Sequence, residues 1–199
     1  DFYLYRDPTA SSGWQADWHS RGRLIQTKYL KTNSTDAEST GTWGYFDYNN
    51  GWLNRQGSNN SNWQSWMWKR HAGFDVVTYT GDGVAGHSIP HNLSRIPEMM
   101  WIKQRNTSNH WTVYHKGLNG GTNPYQYKLV LDDTGSESSS NIWFNAPPTS
   151  NDISLKTSST VNTSGGSYIN MLFASVDGIS KLGSYTGNGQ TGSYGPFIT

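Results

Sequence analysis

The sequence predicts an all-β protein assembled from repeated antiparallel units of sandwich or barrel type. Three observations predict it: strand-length runs of alternating hydrophobicity, Gly- and Asn-rich turns between them, and an internal repeat that keeps its order. The alternation is plainest near the end of the chain. Ile169, Met171 and Phe173 fall on one face of a strand, and Tyr168, Asn170, Leu172 and Ala174 on the other. The run Phe74-Asp75-Val76-Val77-Thr78-Tyr79 is β-branched and aromatic, which suits a pleated, half-buried surface. Gly81-Asp82-Gly83 then reads as a tight turn, because glycine takes positive φ without steric cost, and Gly187-Asn188-Gly189 reads the same way. Further strands are expected at 99–103, 111–115, 127–131, 142–144 and 182–185. Turn-rich stretches at 106–110, 117–124, 132–141 and 146–152 separate them, and no helical stripe is present.

The repeat organises the chain. Thr78-Tyr79-Thr80-Gly81-Asp82-Gly83 recurs as Ser184-Tyr185-Thr186-Gly187-Asn188-Gly189. Trp63-Gln64-Ser65-Trp66-Met67-Trp68 precedes the first copy as Ile169-Asn170-Met171-Leu172-Phe173-Ala174 precedes the second. Phe2-Tyr3-Leu4-Tyr5-Arg6 parallels the run from Met100 to Arg105. The aromatic–His endings at His19 and His115 are matched, and Leu30-Lys31-Thr32-Asn33-Ser34-Thr35 parallels Leu129-Val130-Leu131-Asp132-Asp133-Thr134. Chance rarely preserves order over several blocks. The repeat phase divides the chain into an incomplete unit at 1–72, a complete unit at 73–177, and a segment at 178–199. That last segment is either the opening hairpin of a next repeat or a strand completing the first unit. The chain opens on Asp1, without Met and directly in a strand-like run, which favours a piece of a longer tandem array.

Composition narrows the function classes. A mean hydropathy of −0.74 would suit a disordered chain if aromatics were few, but there are 10 Trp, 12 Tyr and 6 Phe. The reading is an aromatic core under a Ser-, Thr-, Asn- and Gly-rich surface. Net charge is +1 and no basic stripe is visible, so nucleic acid is not an expected partner. With no cysteine, disulfides and thiolate metal sites are excluded. No apolar run approaches membrane-spanning length, so membrane insertion is not expected.

Catalytic signals are weak. Asp132-Asp133 stands where the other copy has Asn33-Ser34, which favours a turn role over an acid–base pair. His19 and His115 have no ligand partners at zinc spacing, and bonding to turn backbone is the better reading. No enzymatic activity, metal or cofactor is expected. The five N-x-Ser/Thr triplets reflect composition. The aromatic crowd in the first half is the one functional lead. Trp66 and Trp68, on a strand, read as core, whereas Trp43, Tyr45 and Trp52 lie in Gly- and Asn-rich sequence, where rings can stack on sugar faces.

A resemblance adds to this. The run from Phe74 to Gly83, then Ile89-Pro90-His91-Asn92-Leu93, Pro97-Glu98-Met99-Met100-Trp101-Ile102-Lys103, Trp111-Thr112-Val113-Tyr114-His115 and Phe173-Ala174-Ser175 resembles a repeat domain of virion structural proteins of marine phages, cyanophages especially. The resemblance implies tandem β-sandwich repeats of jelly-roll, lectin-like type in a fibre, tail appendage or capsid-attached protein. It supplies no catalytic residues. The expected partners are other virion proteins, copies of the same chain and host-surface polysaccharide, and the expected location is the particle. A carbohydrate-binding module of a secreted bacterial adhesin or hydrolase is the alternative, and a depolymerising enzyme is a third reading. The first half departs from the pattern through its extra Trp residues and a longer stretch at 39–60.

Overall fold

The computed structural model describes residues 1–22, 27–41, 44–48, 51–54, 62–70, 73–143 and 146–190, with backbone alone for 44–48 and 51–54. The described chain is nearly all β, with every strand pair antiparallel. In the first part the strands are β1 (Phe2–Arg6), β2 (His19–Gly22), β3 (Lys28–Lys31), β4 (Ser39–Thr40), β5 (Gly44–Tyr48), β6 (Gly51–Asn54) and β7 (Gln64–Trp68). They are followed by β8 (Phe74–Thr80), β9 (His87–Pro90), β10 (Met99–Gln104), β11 (Thr112–His115), β12 (Tyr127–Val130), β13 (Ser138–Ser139), β14 (Asp152–Leu155) and β15 (Ser167–Phe173). One helical turn, α1 (Ser159–Asn162), precedes β15, and the Ser158 hydroxyl accepts a hydrogen bond from Thr160 N at its start.

Two large sheets carry the fold. The first has the order β4-β3-β2-β1-β7 and the second β13-β12-β11-β10-β15-β8. Each is a four-stranded meander whose first strand also pairs with a strand returning from much later in sequence. The registers run in parallel. Phe2 faces Trp68 and Leu4 faces Trp66, as Met99 faces Phe173 and Trp101 faces Met171. Lys28 faces Thr40 as Tyr127 faces Ser139. The turn before the third strand of each meander is not described in the first sheet, but the turn after it is built alike. Trp18 N donates to Asn33 Oδ1 at 3.0 Å, and Trp111 N donates to Asp132 Oδ1 at 2.8 Å. Thr32 N donates to Trp18 O, and Leu131 N to Trp111 O.

This register corrects several sequence expectations: Trp68 answers Phe173 where the block alignment set it against Ala174, and Phe2 answers Met99, outside the run from Met100 to Arg105. Trp18 answers Trp111, so the histidines do not match. His19 opens β2 opposite Tyr5, whereas His115 closes β11 opposite Met99.

The alternation read in residues 168–174 sorts the core into layers. Phe2, Leu4 and Leu30 of the first sheet share one apolar layer with Phe74, Trp111, Met171 and Phe173 of the second. Trp111 reaches across that layer and its indole N–H donates to Lys31 O at 2.8 Å. The opposite face of the second sheet, with Met100, Ile102, Tyr114, Tyr168 and Leu172, packs under Ile89, Ile153 and Leu155 of the β9–β14 pair. The second sheet is thus buried on both faces, which explains why β10 and β15 read as nearly continuous apolar runs.

Several expected elements differ. The 182–185 stretch forms no strand, and neither do its neighbours through Gln190. The expected 142–144 strand is reduced to one bridge, Trp143 to Leu155, with Phe144 outside the described residues. β9 and β14 were missed because each is short and Pro90 closes the former, a residue that discourages a strand reading.

Candidate functional site

Sequence reasoning nominated Trp43, Tyr45 and Trp52. Trp43 lies outside the described residues. Tyr45 and Trp52 fall on the β5–β6 hairpin, where Tyr45 is opposite Leu53 and the register shifts between Tyr45 and Tyr48. The backbone therefore brings Tyr45 and Trp52 to one hairpin, and their side chains are not described.

Two other places concentrate polar chemistry. The first is the outer face of the first sheet. Alternation places Tyr3 and Tyr5 of β1 on this face, opposite the Phe2 and Leu4 side, and pairing sets them beside Arg21 and His19 of β2. Tyr5 stacks on Tyr3 at 5.3 Å and on His19 at 5.2 Å, and Trp63 lies 5.6 Å from Tyr5 and 5.5 Å from Trp14. The buried Arg21 guanidinium lies 5.3 Å from the Tyr29 ring and donates to Gly41 O at 3.0 Å. The His19 ring Nε2 is 2.6 Å from Trp14 O. Burial pushes both tyrosine hydroxyls above their ordinary range and the His19 ring below its own. At neutral pH the tyrosines stay protonated and the histidine uncharged, so the Arg21 guanidinium carries its charge within an aromatic layer. Such a layer orders the sheet.

The second place is a cleft of about 640 Å³ lined by β1, β2 and β3 on one side and β8 and β15 on the other. Phe2, Leu30, Val76, Ile169 and Met171 give it apolar walls, and Lys28, Arg70, Arg105, Glu38 and Asp1 line it as well. Arg105 Nε pairs with Glu38 Oε2 at 2.7 Å, and Arg70 Nε pairs with the buried Asp75 at 2.8 Å. Lys28 Nζ donates to the Thr40 hydroxyl at 2.9 Å. The Ser20 hydroxyl donates to Leu30 O at 3.2 Å, so its proton is held by backbone rather than by a base. Apolar walls with ionic groups around them suit an apolar group carrying a charge.

Other described ionisable groups sit in turns and in local pairs. Asp132 accepts from Trp111 N and lies 2.9 Å from His110 Nδ1, while Asp133 accepts from Thr134 N at 2.7 Å. This is the turn role expected of the pair. Lys103 is buried, donates to Gln104 O at 2.7 Å, and is lowered by desolvation to about 8. Its counterpart by register is Arg6, whose guanidinium lies 5.2 Å from the Trp18 ring. Among the described residues no group of three or more His, Asp or Glu is placed to hold a metal ion. No helix among them is long and apolar enough to cross a membrane. Of the aromatic residues read as core, Trp68 packs on the shared layer, whereas Trp66 stacks on Trp18 at 4.5 Å and stays substantially exposed. Arg21, Tyr29 and Lys28 were missed by sequence reasoning. The available signal was the pairing of alternate tyrosines in β1 with a cation in the next strand.

No curated protein and no solved structure matches the chain. A family model does match, over residues 15–199, and the chain belongs to that family, described as a domain of unknown function (DUF7483).

Proposed function

We propose that the protein is a non-enzymatic structural component of a bacteriophage particle, as fibre, tail appendage or capsid decoration, and that it contributes to adhesion at the host surface. In this reading it is built from tandem β-sandwich repeats of jelly-roll, lectin-like type. Residues 1–72 are an incomplete unit, 73–177 a complete one, and 178–199 the start of a next repeat or the strand that completes the first. The observation that carries the repeat is the turn built twice, with Trp18 N on Asn33 and Trp111 N on Asp132. The matching order of five strands, β4-β3-β2-β1-β7 and β13-β12-β11-β10-β15, supports it further. The phage assignment rests on the resemblance of the ordered blocks between Phe74 and Ser175. Repetition of weakly adhesive surfaces gives avidity without a catalytic centre. Peptide mass spectrometry on gradient-purified particles of a phage encoding this chain tests the assignment. Peptides of the chain co-purify with the particles at stoichiometric yield. Recovery in the soluble lysate alone would sink the reading, as would release of reducing ends from host polysaccharide by the purified protein.

The placement of Tyr45 and Trp52 on one hairpin favours carbohydrate binding as the second reading. A glycan array distinguishes the two: binding that is lost in Trp43→Ala or Trp52→Ala supports a carbohydrate-binding module, and an array without signal counts against it.

A further inference from the structure

We propose that the cleft between the two large sheets binds a free aliphatic carboxylate, an unbranched alkyl chain with one anionic head, and that Lys28 holds the head. The second sheet shows how the cleft arises. Phe2 is equivalent to Met99 by register, since Phe2 faces Trp68 and Gly22 as Met99 faces Phe173 and His115. Along the same ladders Ser20 is equivalent to Val113, because Ser20 faces Leu4 and Leu30 where Val113 faces Trp101 and Leu129. Lys28 opposite Thr40 is equivalent to Tyr127 opposite Ser139. Cross-strand partners share a face. Ser20, Gly22 and Lys28 therefore stand on the same side of the first sheet as Phe2, Leu4 and Leu30 of the shared apolar layer.

Where the second sheet has Val113, His115 and Tyr127, the first thus has a hydroxymethyl group, a hydrogen atom and a slender ammonium chain. The bulk that is missing leaves the cleft of about 640 Å³, and Ser20, Gly22 and Lys28 all line it. Small-molecule sites occupy roughly 300–1,000 Å³, so the space suits one small ligand. Among the described residues, a Cβ added at Gly22 would meet Asp1 O at 3.7 Å, an ordinary contact.

The lining selects the ligand. Leu30, Val76, Ile169 and Met171 are aliphatic and suit methylene groups. Most of the ionic side chains around them are already engaged. Arg105 pairs with Glu38, Arg70 with the buried Asp75, and the Asp1 carboxylate accepts from Arg70 N at 3.0 Å. The Arg21 guanidinium is given to Gly41 O and the Tyr29 ring. Lys28 differs. Its Nζ donates to the Thr40 hydroxyl at 2.9 Å, and among the described residues it stands in no ion pair. An ammonium has three donors and no acceptor, so a carboxylate beside it supplies both hydrogen bonds and the opposite charge. The alkyl chain then lies along Ile169 and Met171.

Isothermal titration calorimetry with sodium decanoate tests the site. The expected result is saturable binding of about one molecule per chain, about tenfold tighter than octanoate because two more methylene groups leave water. Lys28→Met weakens it about tenfold, the loss of one charged hydrogen bond, and Lys28→Arg retains it. Ser20→Val places the residue of the equivalent position in the cleft and removes binding, while far-ultraviolet circular dichroism and the urea midpoint stay close to the parent's. Gly22→Val repeats that test should Ser20→Val fail to fold. An absence of saturable heat up to about 1 mM decanoate overturns the proposal. So does undiminished binding in Lys28→Met or in the folded filling variant, or equal affinity for decyltrimethylammonium. Binding to phosphatidylglycerol vesicles without binding of free decanoate overturns it as well, because the ligand is then a membrane surface.

Discussion

Asn33 and Asp132 show how two residue types can make the same kind of turn contact. Each presents a side-chain oxygen to a tryptophan N–H two strands' turn away, so carbonyl or carboxylate oxygen satisfies the site equally. Removing that acceptor leaves a backbone donor without its partner. Asn33→Ala and Asp132→Ala are each expected to lower stability by about 1–2 kcal/mol in urea denaturation, the larger loss falling on Asp132, whose tryptophan is fully buried. Conversely, Asp132→Asn should be nearly silent. Lys103 offers a test by pH. Burial lowers its pKa to about 8, against an ordinary lysine value of roughly 10.4 in the unfolded chain. Between those values the unfolded state binds more protons, so stability rises with pH from about 8 toward 10. Lys103→Met should abolish that rise. Above about 10 the trend reverses, because burial holds the Tyr114 hydroxyl near 12 while unfolded tyrosines ionise.

At the scale of elements, strand existence was legible wherever a run was long and one-sided. The division of Ile169, Met171 and Phe173 from Tyr168, Leu172 and Ala174 reappears as two separate apolar layers. Register was less legible. Trp14 and Trp18 both precede His19, and sequence alone did not tell which answers Trp111; the hydrogen bonds to Asn33 and Asp132 decide it. The short β9 and β14 were hidden because four-residue strands carry too few alternations to stand out. The Tyr-Thr-Gly turns illustrate the limit of local reading. Their backbone shapes agree, but a Cβ on Gly81 would strike Thr163 O, whereas a Cβ on Gly187 meets nothing within 4 Å. Gly81→Ala should therefore cost well over 1 kcal/mol in thermal or urea unfolding, and Gly187→Ala should stay within about 0.5 kcal/mol of the parent. Equal losses at the two glycines would mean that the second turn is as enclosed as the first.

In the molecule as a whole, the two large sheets do not stand apart as beads on a string. Phe2, Leu4 and Leu30 complete a layer that Trp111, Met171 and Phe173 begin, and Trp111 bonds across it to Lys31. Glu38 and Arg105 add an ion pair across the same seam, beside the backbone bond from Glu38 N to Arg105 O. Sequence patterning predicted like units but not their burial against one another, because alternation marks which face is apolar and not what covers it. The candidate ligand residues were legible only as an aromatic-rich stretch; the cleft depends on long-range pairing that no local motif announces. The most direct test of the shared layer is equilibrium unfolding in urea, followed together by tryptophan fluorescence and far-ultraviolet circular dichroism, for the parent and for Trp111→Ala. The account predicts one coincident transition by both probes, moved as a whole to lower urea by the substitution. Two separated transitions, with Trp111→Ala shifting one and leaving the other in place, would contradict it.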